Sequence, residues 1–133
     1  MNSGALPKWF VAFSDGARPV WWQRGLRRGF RHVEAFAWDA DARAWVVVSP
    51  ACDICVVRAM PAEMGAAYLA ELHKRKATVV LAETACDGPG RPRLLATCVT
   101  AISSVLGLPG LCAVTPYGLY RTLLHRGATK VAG

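Results

Sequence analysis

The sequence predicts a single α+β domain over residues 1–133, built on an antiparallel sheet, and three observations carry that prediction. The 133 residues are 53% hydrophobic and 19% charged, which supplies one core and leaves too little chain for two. Side chains from Phe30 to Trp38 alternate with a period of two, and a polar turn and a β-branched run follow, the pattern of a hairpin. Helix signals then fall irregularly among the strand-like segments rather than after each strand in turn, which favours an α+β arrangement over a doubly wound sheet. Disorder is excluded, because the low hydrophobicity and strong charge it requires are both missing.

Trp9–Ser14 reads as the first strand, closed by the turn signal Asp15-Gly16. Residues 1–29 are this strand together with an Arg- and Trp-rich connection from Arg18 to Gly29. In the next strand Phe30, His32, Glu34, Phe36 and Trp38 share one face, while Val33, Ala35 and Ala37 share the other. Asp39–Arg43 turns the chain, and Trp45–Ser49 returns as a strand that ends before Pro50. If Trp38 pairs with Trp45, Glu34 falls opposite Ser49 and His32 opposite Ala51, so His32 lies diagonal to Ser49 on one face. Asp53-Ile54 reads as a continuation of that extended segment.

Pro61 is placed to open a helix running to about Lys76, with His73, Lys74, Arg75 and Lys76 at its negative end. Thr78–Glu83 is a short apolar strand, and the Gly- and Pro-rich segment from Cys86 to Arg93 is a loop. A helix is expected from Thr97 to Leu106, closed by Gly107, with a short strand over Leu111–Val114. Thr115 caps a last helix from Pro116 to His125, and Gly127 follows it.

Charge and cysteine usage narrow the setting. Lys and Arg total 16 against 9 acidic residues, a net charge of +7, and 12 of the 16 are Arg. Such a surplus favours anionic partners without choosing among nucleic acid, anionic lipid and acidic glycan. Cys52, Cys55, Cys86, Cys98 and Cys112 form an odd, irregular set, and residues 1–16 hold only the short apolar run Trp9–Phe13. Free thiols in a reducing cytoplasm are therefore expected. The 27 positions from Leu94 to Tyr120 carry no Asp, Glu, Lys or Arg, yet Gly107, Pro109, Gly110 and Pro116 divide them into pieces too short to cross a membrane as one helix.

Two residues stand out chemically. Cys98 follows the N-cap Thr97, so it falls in the first turn of its helix, where the dipole and free N–H groups lower a thiol's pKa and could hold an oxyanion. The bland alternative is a core thiol, since Cys is among the most buried residue types. His32 shares its face with Glu34 and neighbours Ser49, the polar groups available to orient an imidazole acting as base. Its bland alternative is a structural histidine at a sheet edge. Cys52-x-x-Cys55 has no second pair to complete a zinc site, so no metal or cofactor is expected. Arg18, Arg24, Arg27, Arg28 and Arg31, interleaved with Trp21, Trp22 and Phe30, form a basic-aromatic stretch of the kind that binds single-stranded nucleic acid, or simply a solvated connection.

The order of the pieces carries a resemblance. Gly29-Phe30-Arg31-His32-Val33, the hairpin ending in Ser49-Pro50, Thr97-Cys98-Val99-Thr100, Leu106-Gly107-Leu108 and Val114-Thr115-Pro116-Tyr117-Gly118-Leu119-Tyr120 together resemble the small phage-encoded relatives of the circularly permuted NlpC/P60 (papain-like) thiol hydrolases. In that group the histidine precedes the cysteine, as His32 precedes Cys98 by 66 residues here. The resemblance implies a papain-like half-barrel with packed helices, Cys98 as nucleophile and His32 as general base. It implies a third residue beside the imidazole, for which this chain offers Ser49 and Glu34. The function implied is cleavage of an amide bond, with a peptidoglycan peptide as natural substrate and no cofactor. The alternatives are a structural or accessory virion protein that keeps only the fold, and a nucleic-acid-binding module using the Arg/Trp-rich stretch. Synthesis in a host cytoplasm, with later association with a virion, fits each of these.

Overall fold

The computed structural model describes residues 8–15, 27–51, 54–83, 102, 106 and 115–132. Among these, six strands form one antiparallel sheet: β1 (Lys8–Ser14), β2 (His32–Asp39), β3 (Ala44–Ala51), β4 (Ile54–Pro61), β5 (Thr78–Glu83) and β6 (Thr129–Ala132). Their order across the sheet is β4-β3-β2-β1-β5-β6. Two helices accompany them, α1 (Gly65–Lys74) and α2 (Pro116–His125). The α+β class and the antiparallel sheet are as the sequence predicts.

The β2–β3 hairpin forms through its turn chemistry. Asp39 Oδ1 accepts from the N–H groups of Asp41 and Ala42 at 3.0 and 3.1 Å, an Asx-type turn, and Arg43 takes a left-handed φ of 52° to complete it. Trp38 pairs with Trp45 as expected, their rings 5.3 Å apart and nearly edge to face. The entry to β2 is fixed from behind by Asp15. Its Oδ1 accepts from Gly29 N–H at 2.6 Å, at a φ of +85° that suits glycine, and its carboxylate lies 3.9 Å from Arg31 Nε.

Four boundaries differ from expectation. Phe30 is not part of β2, which begins at His32, and its ring packs on the α2 side against Phe13 and Tyr120 instead of sharing the His32 face. Pro50 does not end β3: it lies within the strand, buried and opposite Cys55 on β4, two residues past the last β2–β3 pair at Ala35↔Val48. A residue without an N–H is tolerable there because the ladder toward β2 has already ended. Ile54 does not continue that segment but begins a new strand that runs back beside it. Pro61 closes β4 instead of opening the helix; a 3-10 turn over Ala62–Met64 follows, and α1 begins only at Gly65 and ends at Lys74. Pro61 is extended, with ψ of 153°, so its fixed φ serves the strand end and the 3-10 N-cap alike. β6 is an addition, an exposed edge strand paired with β5. The expected strand over Leu111–Val114 lies outside the described residues.

Strand alternation sends alternate residues of the one sheet into two apolar layers, one on each face of a single domain core. One contains Val11, Phe13, Val33, Ala35, Val48, Val80 and Ala82, covered by Ile102, Leu106 and the α2 residues Leu119 and Leu123. The other contains Ala12, Phe36, Val47, Met60, Ala77 and Val79, covered by Leu72 of α1, with Phe10, Trp45 and Tyr68 packed against it. Helix α2 starts as its sequence predicts: Thr115 Oγ1 accepts from Gly118 N–H at 3.0 Å, Pro116 follows, and Gly127 stands past the end with φ of +98°. None of the described helices is long and apolar enough to cross a membrane.

Candidate functional site

The face beneath α1 carries the polar residues. His32 begins β2 opposite Ser14 of β1, and Glu34 lies opposite Ala12. The same alternation places Phe36 two residues further on, stacked on Phe10 at 5.1 Å and edge to face with Tyr68 at 5.1 Å. Tyr68 reaches this face because Gly65, Tyr68 and Leu72 fall on one side of α1, at helical spacing. Gly65 allows the close approach: a Cβ there would lie 2.7 Å from Trp45 Nε1.

Glu34 is 4% exposed, and its Oε1 has no hydrogen-bond partner of good geometry among the described residues. The buried Tyr68 hydroxyl has none either. Burial pushes the Tyr68 phenol pKa well above its ordinary 10, and the Glu34 carboxylate raises it further, by its charge and by the bond it would accept. Arg58 of β4 and Arg75, just past α1, act in the opposite sense. His32 is partly buried, and burial lowers its pKa below the ordinary 6.5; the Glu34 charge works against this shift and Arg75 reinforces it. His32 is therefore a neutral imidazole near pH 7, able to accept a proton.

Of the expected site residues, the structure brings His32 and Glu34 onto one face, within electrostatic reach of each other. Ser49 is half-buried on β3 and pairs with Val56 of β4, and the β2–β3 ladder stops one pair short of placing it opposite Glu34. Cys98 lies outside the described residues, as do Cys52, Cys86 and Cys112. Two residues later in its segment are described: Leu106 N–H donates to the Ile102 carbonyl at 3.0 Å, an α-helical bond. Both side chains pack among Val33 and Ala35, on the face opposite to the one His32 takes by alternation. Arg18, Trp21, Trp22 and Arg24 also lie outside the described residues. Of the basic stretch, Arg27 stacks over the Tyr117 ring at 4.1 Å, and Phe30 packs against Tyr117 and Tyr120 at 5.0 and 4.9 Å. Those contacts tie the stretch to α2. Among the described residues no group of His, Cys, Asp or Glu is arranged to hold a metal ion.

Tyr68 is the residue the sequence reading passed over. Its signal was the spacing Gly65, Tyr68, Leu72, which puts the phenol on the inward stripe of the helix. No family model matches the chain, and no curated protein or solved structure matches it.

Proposed function

We propose that the chain is a thiol hydrolase on a papain-like fold, cleaving an amide bond in a peptide of peptidoglycan type. Cys98 is the nucleophile and His32 the general base. The observation that carries this reading is the partly buried imidazole at the start of β2, its pKa lowered by burial, with a carboxylate on its own face. The Cys98 proton passes to His32, and the thiolate sulfur bonds to the scissile carbonyl carbon while the carbonyl oxygen takes the negative charge. The helix start expected from the sequence after Thr97 would supply backbone N–H groups for that oxyanion. The intermediate collapses, the carbon–nitrogen bond breaks, and the amine leaves with the proton from His32. Water, giving a proton to His32, then hydrolyses the thioester and restores the thiol. The net charge of +7 suits an anionic cell-wall polymer.

The test is the alkylation rate of each thiol at pH 7. Cys98 is expected to react fastest, and His32→Ala to slow it by at least about 10-fold, as loss of thiolate character does. Equal rates at all five cysteines, or a Cys98 rate indifferent to His32→Ala, overturns the reading.

A second reading, a non-catalytic structural or accessory virion protein, is favoured by one observation. Ile102 and Leu106, four and eight residues beyond Cys98, pack on the sheet face away from His32. On that reading no thiol is activated, and the same alkylation experiment decides between the two.

A further inference from the structure

Two polar atoms are buried close together beneath α1, each without a well-formed hydrogen bond among the described residues: Glu34 Oε1 from the sheet and Tyr68 Oη from the helix. A buried polar group left unbonded costs about 1–3 kcal/mol, so a pair of them in the interior calls for an explanation. Each offers what the other lacks. The phenol is a donor and the carboxylate an acceptor, and they can bond directly or through one water with polar groups on both sides.

We propose that Tyr68 is a positioning residue for His32, acting through Glu34. The phenol proton engages the Glu34 carboxylate and holds it from turning fully onto the imidazole two residues away on the same strand face. In this arrangement Glu34 orients His32 without drawing it into a tight imidazolium–carboxylate pair that would cost it its function as a base. The sequence places His32 and Glu34 two apart on β2, and the helical spacing of Gly65, Tyr68 and Leu72 brings the phenol to Glu34. The charged and titratable groups facing this cluster are Glu34 and His32 from β2, Tyr68 from α1, Arg75 just past that helix and Arg58 from β4. Phe36 fixes the Tyr68 ring edge to face at 5.1 Å, so the phenol is aimed by packing. The catalytic meaning of this device rests on the thiol hydrolase reading; the arrangement itself does not.

The test is the titration of the His32 imidazole followed by NMR in the full chain, with the signal assigned by its loss in His32→Ala. Four proteins form a cycle: native, Tyr68→Phe, Glu34→Gln and the double variant. Both substitutions keep shape, and unchanged backbone spectra identify variants that fold. Glu34→Gln is expected to lower the His32 midpoint. Tyr68→Phe is expected to raise it by about 0.4–1 pH unit, the equivalent of one net hydrogen bond, because the released carboxylate turns to the imidazole. In the Glu34→Gln background Tyr68→Phe is expected to leave the midpoint unchanged. No shift, a fall, or a rise that persists without the Glu34 carboxylate overturns the proposal. The readout does not involve Cys98, so alkylation rates indifferent to His32→Ala would sink the hydrolase reading and leave this cycle intact.

Discussion

The two faces of the sheet are built on different terms. Beneath α2 every described buried residue is apolar: Val11, Phe13, Val33, Ala35, Val48, Val80, Ala82, Ile102, Leu106, Leu119 and Leu123. Beneath α1 the apolar packing around Phe36, Val47 and Leu72 is interrupted by Glu34, the Tyr68 hydroxyl and the partly exposed His32. The first face can only stabilise. The second gives up some of that stabilisation to keep ionisable groups close together, and perturbed groups such as His32 and Tyr68 gather where chemistry is done. The same strands serve both ends, because each successive residue of β2 changes sides.

The largest expected effect tests the apolar face. Phe13 is fully buried and packs against Phe30 and Tyr120 at 5.7 and 5.5 Å. Phe13→Ala should lower unfolding stability by about 3–5 kcal/mol in denaturant titrations; a loss within about 0.5 kcal/mol, the scale of an ordinary surface substitution, means that face is not a closed core. Next comes the seam between α1 and the sheet. Gly65→Ala ordinarily gains helix propensity, yet its Cβ would sit 2.7 Å from Trp45 Nε1. An overpacking loss of about 1–3 kcal/mol, with a shifted tryptophan emission, is therefore expected; a gain in stability would show that the helix lies further off. Thr115→Ala removes the cap bond to Gly118 and should cost about 1 kcal/mol by thermal unfolding.

Glu34→Gln sharpens the contrast at smaller amplitude. No ion pair within 4 Å engages Glu34 among the described residues, so removing its charge should leave stability unchanged or raised. Gln keeps an acceptor for the Tyr68 phenol, so a loss above about 2 kcal/mol, the scale of a severed charged hydrogen bond, would reveal a further, cationic partner. The smallest effect is on pH dependence. The native pKa of His32 lies below its unfolded value of 6.5, so between the two the unfolded chain binds more protons. Stability should therefore rise with pH through that window, be fully present above 6.5, and fall as pH drops below it. His32→Gln should flatten this part of the profile; an unaltered slope would assign it to other groups.

Much of this contrast was legible before any coordinates. The alternation of His32 to Trp38 separates His32, Glu34 and Phe36 from Val33 and Ala35, although Phe30, which precedes the strand, takes the α2 face and not the His32 face its spacing suggests. Asp39–Arg43 and Thr115-Pro116 carry their turn and cap chemistry in the residues themselves. What was not legible depends on partners distant in sequence. Thr129–Ala132 is exposed throughout and joins the sheet by backbone bonds to β5, so it leaves no hydrophobic period to read. Pro50 and Pro61 act as breakers only where a ladder needs their missing N–H, and that depends on where neighbouring strands end. Tyr68 looks like any aromatic on a helix stripe until the opposite surface is known to carry a carboxylate. Cys98 lies outside the described residues, so its pairing with His32 rests on the alkylation experiment.

Trp38 and Trp45 are held 5.3 Å apart with their ring planes at 66° across the hairpin. Two strong chromophores locked at such a skew couple their transitions, so the folded chain should carry an exciton couplet in far-ultraviolet circular dichroism. That band would vanish if either indole were replaced by phenylalanine. It makes closure of this hairpin visible spectroscopically, in real time and without a label.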